Sequence, residues 1–102
     1  MSNDETYSGW TNRETWALWL HIINDESMYE TTQDLAEAHL KVLKDEDVDS
    51  LLGRHVVEYW REYLLETQPH SNHSRLVLNE VGSWWRINHA EIGAAVREDL
   101  NN

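Results

Sequence analysis

Apolar positions recur along this chain with a helical period, and polar clusters interrupt them. Trp16, Trp19, Leu20 and Ile23 fall at i, i+3, i+4 and i+7, while Leu18 and Ile22 widen the stripe. That predicts a first helix apolar over most of its girth and central to the core. Thr11 followed three residues later by Glu14 reads as a capping box at its start, and the run "NDES" at residues 24–27 ends it. A second helix is expected from residue 31 or 32 to about residue 44, with Leu35, Ala36, His39, Leu40, Val42 and Leu43 facing inward.

The acidic run "DEDVD" breaks that pattern, and Asp45 or Asp47 can cap a third helix. Along it Val48, Leu51, Leu52, His55, Val56, Tyr59, Trp60 and Tyr63 keep the 3.6-residue period through four turns. It should stop before "TQPHSNHS", which holds the chain's one proline. A fourth helix is expected over 74–85, carrying Leu76, Val77, Leu78, Val81, Trp84 and Trp85, with Gly82 weakening its end. The last opens on Asn88 as cap with Glu91 three residues on, flanked by Ile87 and Ile92 where a hydrophobic staple would stand. Ile92, Ala95, Val96 and Leu100 then line one face. The fold expected is all-α: a compact bundle of four to five helices in a single domain over 10–102, with 1–9 a flexible lead-in.

Composition narrows the function. The 102 residues suit one core, built around six tryptophans and four tyrosines with no phenylalanine. Nineteen acidic residues against eight basic ones give a net charge of −11, which speaks against nucleic acid as a direct ligand, because phosphates are held by clustered Lys and Arg. Without cysteine there is no disulfide, zinc-thiolate site or thiol nucleophile. The polar, acidic start "MSNDETYSG" has no signal-peptide character, and no apolar run is long enough to cross a membrane. A cytoplasmic protein with no membrane contact is the expectation.

Candidate chemistry is sparse. His70 and His73 share a loop, but no third metal ligand can be assigned beside them, and His39 and His55 read as boundary imidazoles. No P-loop, nucleophile elbow, His-Glu-x-x-His or dinucleotide motif occurs. The expectation is therefore no catalytic residue, no metal and no cofactor. Trp16, Trp19 and Trp60 are most simply core. Trp84 and Trp85, as helix neighbours about 100° apart, cannot share the centre of one buried face, so either one reaches the surface or both are buried at a helix junction. Trp10, Arg13, Tyr29, Trp84 and Trp85 form a candidate partner-binding patch of tryptophan, tyrosine and arginine, the residues that dominate interface hot spots. Arg13 has a structural alternative, a clasp to Asp25 or Glu26. Asp34, Glu37, Asp45, Glu46, Asp47, Asp49, Glu58, Glu62 and Glu66 form a second candidate surface, an acidic face. It reads as a solubilising face, as a mimic of a phosphate backbone, or, given two lysines against six arginines, as the habit of a salt-loving organism.

The blocks "NRETW" at 12–16, "NDESMY" at 24–29 and "INHAEIGAAVRED" at 87–99 resemble a family of small proteins encoded largely by phages, other viruses and plasmids. Such proteins begin with an Asn-Arg-Glu-Thr-Trp block and end in an Ile-Asn-Trp-x-Glu-Ile-Ala-like helix start. Here His89 stands where the family has Trp, and Gly93 where it has Ala. The resemblance implies an origin and no activity. The function expected is a non-enzymatic acidic protein that binds a host or viral protein, inhibiting a nucleic-acid-binding or defence protein by mimicry. A self-associating scaffold that uses Trp84 and Trp85 is the alternative, and a metal-dependent enzyme the third.

Overall fold

The computed structural model describes residues 7–44 and 47–101. Five helices account for most of them: α1 (Arg13–Asn24), α2 (Glu26–Leu40), α3 (Val48–Thr67), α4 (Asn72–Val81) and α5 (His89–Leu100). Short 3-10 turns at Gln68–His70 and Trp84–Arg86 lead into the last two. No strand occurs among the described residues, so the fold is an all-α bundle.

Four of the five helix starts carry a side-chain cap, and several caps differ from the sequence expectation. Asn12, not Thr11, caps α1, its side-chain oxygen accepting from the Thr15 N–H at 2.9 Å. Asp25 is the one extended residue between α1 and α2, and its carboxylate accepts from the Met28 N–H at 3.1 Å. The run that ends α1 therefore also starts α2, five or six residues earlier than the sequence suggested. Helix α2 stops at Leu40 rather than near residue 44, which leaves Val42 70% exposed instead of inward. Asp45 lies outside the described residues, and Asp47 occupies the cap position of α3 without a side-chain hydrogen bond. Ser71 caps α4, and Asn88 caps α5 by accepting from the Glu91 N–H at 3.1 Å.

The core runs through Leu18 and Ile22 of α1, Ala36 of α2, Leu52, Val56 and Leu64 of α3, Val77 and Val81 of α4, and Ile92 and Val96 of α5, each buried. Trp60 joins them and its indole N–H donates to the buried Thr32 hydroxyl at 2.9 Å, tying α3 to α2. Tyr59, Tyr63 and His55, expected inward, flank this buried line and are exposed. The closest crossing is between α3 and α5, where Gly53 and Gly93 face each other's backbone. A Cβ at Gly53 would stand 1.7 Å from the His89 carbonyl oxygen, and one at Gly93 1.8 Å from that of Asp49. Arg97 of α5 binds Asp49 of α3 at 2.6 Å beside this crossing.

Of the lead-in, residues 1–6 lie outside the described part. Tyr7 and Trp10 exchange backbone hydrogen bonds of 2.7 and 2.8 Å across a turn, and the Tyr7 ring packs 4.7 Å from that of Trp16.

Candidate functional site

The N-terminal block and the α5 start, about 75 residues apart in sequence, lock together, and that contact sets the one exposed tryptophan. The Asn12 amide donates to the Arg86 carbonyl at 2.8 Å. The Thr15 hydroxyl, fully buried, donates to Asn12 at 2.7 Å and accepts from the Asn88 N–H at 2.9 Å. The Asn88 amide donates to the Thr11 hydroxyl at 3.3 Å. Glu91 does not reach back to its own cap; its carboxylate accepts from the Thr11 N–H at 3.0 Å. Two helix N-termini thus satisfy part of each other's unpaired backbone, the need that side-chain caps usually meet within one helix.

Arg13 belongs to the same framework. Its guanidinium donates to the Glu80 carbonyl at 2.7 Å and to the Val81 carbonyl at 3.0 Å, placing its charge at the C-terminus of α4, where the helix dipole favours a cation. It clasps the chain, but to α4 rather than to Asp25 or Glu26. Gly82 follows with φ +81°, a conformation that glycine adopts without steric cost, and the helix ends there. Trp84 and Trp85 consequently sit in a tight turn, not in a helix. Trp84 turns to the core, with its indole nitrogen buried and unpaired, while Trp85 is 84% exposed.

Beside Trp85 lies a groove of about 690 Å³ between α3, the end of α4 and this turn. Val57, Leu65, Leu78 and Trp84 supply its apolar lining, and Glu58, Arg61 and His89 its polar lining. The Arg86 guanidinium lies 5.9 Å from the centre of the Trp85 ring. This combination of tryptophan, arginine and apolar hollow is the chemistry of a protein-binding anchor.

The other members of the aromatic candidate patch are engaged in contacts of their own. Trp10 is half-buried against Trp19, ring centres 6.2 Å apart. The Tyr29 hydroxyl donates to Asp99 near the far end of α5, about 17 Å along the helix from Asn88 by its rise per residue. Arg13 is committed to carbonyls. Those carbonyls adjoin Gly82, so Arg13 stays beside the turn that carries Trp84 and Trp85.

The acidic candidates divide as well. Asp45 and Glu46 lie outside the described residues. Asp49 is engaged by Arg97, and Glu58 pairs with Arg54 at 3.2 Å. Nine residues separate Asp49 from Glu58, half a turn of phase, so these two share no face of α3. Asp47 and Glu62 are exposed. On α2 a more regular feature emerges. Glu26, Glu30, Asp34 and Glu37 are all exposed, and at i, i+4, i+8 and i+11 they fall within an arc of about 80° over roughly 17 Å. None is ion-paired among the described residues. The first two went unread because the helix was expected to begin later; Asp25 followed by an acidic first turn was the signal available.

The histidines are dispersed. His21 meets Glu80 at 2.7 Å, and His73 turns from His70 to Asp25 at 3.1 Å. Among the described residues no group of three or more metal-ligating side chains converges. His39 and His55 stack, ring centres 4.1 Å apart at 12°, joining α2 to α3. Burial, and then the His55 charge, hold His39 below its usual 6.5. Its native state thus favours the neutral ring, and the unfolded chain takes up the proton first as pH falls. Its contribution to stability is complete above pH 6.5 and declines below it. Urea unfolding between pH 7.5 and 5.5 should accordingly show a larger loss for the native protein than for His39→Gln. Equal losses would remove the stack as the cause.

By fold and site this is a small, acidic, all-α protein with a groove edged by Trp84 and Trp85, and no helix of its described residues is long and apolar enough to cross a membrane. Its family is one of unknown function, DUF7249: the chain belongs to it, matching over residues 3–99. No curated protein and no solved structure matches the chain.

Proposed function

We propose that the protein is a non-enzymatic binding protein of viral or mobile-element origin, whose acidic helical surface engages a basic protein partner and imitates a nucleic-acid backbone there. The observation that carries this reading is the row Glu26, Glu30, Asp34 and Glu37 along α2. Charges of one sign at i, i+4 spacing repel and weaken a helix, so their retention in an unpaired row is a cost that binding a cationic groove would offset. Steps of about 4.5–6 Å along the row present carboxylates as a rigid anionic ladder. The net charge of −11 adds long-range attraction toward a basic partner. Origin rests on the resemblance of residues 12–16, 24–29 and 87–99 to small proteins of phages and plasmids.

The test uses the immobilised protein and its quadruple variant Glu26→Lys, Glu30→Lys, Asp34→Lys, Glu37→Lys in lysate of the host cell. The native protein should retain nucleic-acid-binding proteins at low salt, release them at high salt, and lose them to added duplex DNA, because exposed charges are screened within about 10 Å at 0.1 M salt. The variant, confirmed helical by circular dichroism, should retain none. Retention that survives both the reversal and the DNA would overturn the reading.

A further inference from the structure

We infer that the groove beside Trp85 is a self-complementary contact through which two copies of this chain pair about a two-fold axis. Knob and hollow occur on one face. Trp85 projects at 84% exposure, and the adjacent groove of about 690 Å³ has Val57, Leu65 and Leu78 among its apolar walls. A two-fold contact needs that arrangement, since whatever one copy offers the other must accept.

Charge decides the occupant. Two chains of −11 repel unless the surfaces that meet are locally balanced. Most of the chain cannot meet this condition, because cations are few and several are spent internally: Arg13 on α4 carbonyls, Arg97 on Asp49, Arg75 on the Gln68 carbonyl and Asn72. The groove face is the exception. Arg61 lines it with no carboxylate partner among the described residues, Arg86 lies over the Trp85 ring and 3.8 Å from Glu14, and Glu58 on the groove wall is paired with Arg54. Both signs are therefore present on one face, and the α2 acidic row lies outside the groove lining. A second copy brings the same knob, the same hollow and the same mixture of charges.

The size of the contact sets its strength. A tryptophan buries about 150–250 Å², so two reciprocal Trp85 knobs with Leu65 give a contact toward the small end of specific interfaces, below about 1,200 Å². A concentration-dependent dimer in the micromolar range or weaker follows. Its salt dependence has the opposite sign to that of a basic partner, since salt relieves the repulsion between two acidic chains.

Sedimentation equilibrium of the intact chain, at rising concentration and at low and high salt, tests this. The expected result is a monomer–dimer equilibrium that strengthens with salt. Trp85→Ala should weaken it about 30-fold, the loss typical of an interface anchor, and Arg61→Glu should weaken it more at low salt than at high. Val42→Ala, which trims an exposed apolar side chain outside the groove, should change nothing. A monomer at every concentration and salt would overturn the inference, as would a dimer indifferent to Trp85→Ala or equally weakened by Val42→Ala. Capture of basic proteins through α2 is read separately, and Trp85→Ala should leave it intact.

Discussion

Gly53→Ala should destabilise the protein by about 3–5 kcal/mol, a large fraction of the stability typical of a 102-residue domain. On helix propensity alone the substitution would stabilise by about 1 kcal/mol, so the sign of the effect is itself the test. The new methyl carbon would lie 1.7 Å from the His89 carbonyl oxygen, an overlap with backbone that no side-chain rotation relieves. Helices α3 and α5 would have to separate, and Leu52 and Val56 on one side and Ile92 and Val96 on the other, all buried, would lose contact. Gly93→Ala meets the Asp49 carbonyl in the same way. Each glycine meets the backbone of the other's helix, so the two act as a pair. Thermal unfolding by circular dichroism measures the effect, and either variant melting at or above the native temperature would show that the crossing is not this tight.

That crossing was not legible in the sequence. A glycine inside a helical pattern reads as a weak spot, and nothing local says that its partner lies 40 residues away. What could be read was local and periodic: the third helix over nearly its whole length, the Asn88 cap, and the buried Ile87 and Ile92. The misread elements turn on single residues. Asp25 both ends α1 and caps α2, so one run of polar residues holds two signals. Trp84 and Trp85 were expected to diverge as neighbours on a helix. They do diverge, but because Gly82 ends α4 and a tight turn carries them.

Contacts distant in sequence also explain members of the candidate patch. Arg13 looked unexplained within its own helix because its partners are carbonyls of α4 67 and 68 residues away. Asn12 and Thr15 likewise serve Arg86 and Asn88. Residue type signalled that these side chains had work to do; only the fold shows that the work is bracing.

The bracing makes Thr15→Val the second large expected effect, a loss of about 1–4 kcal/mol. Valine matches threonine in shape, so neither a cavity nor a clash enters. The change removes one hydroxyl, which donates to Asn12 at 2.7 Å and accepts from the Asn88 N–H at 2.9 Å. Stranding that N–H costs about 1–3 kcal/mol and the lost bond to Asn12 about 0.5–1.5, against which one extra buried methyl returns about 0.8. Asn88 also caps α5, and its neighbour contacts at Thr11 and Glu91 hold the first turn of α1, so loosening it frees both helix starts together. Thr15→Ser keeps the hydroxyl and drops only the methyl, and should cost about 1 kcal/mol. A double-mutant cycle with Asn12→Ala should show strong coupling, because the two side chains act through one hydrogen bond. Urea denaturation of the set decides it: if valine at position 15 proves no worse than serine, the hydroxyl is not what joins the two ends of the chain.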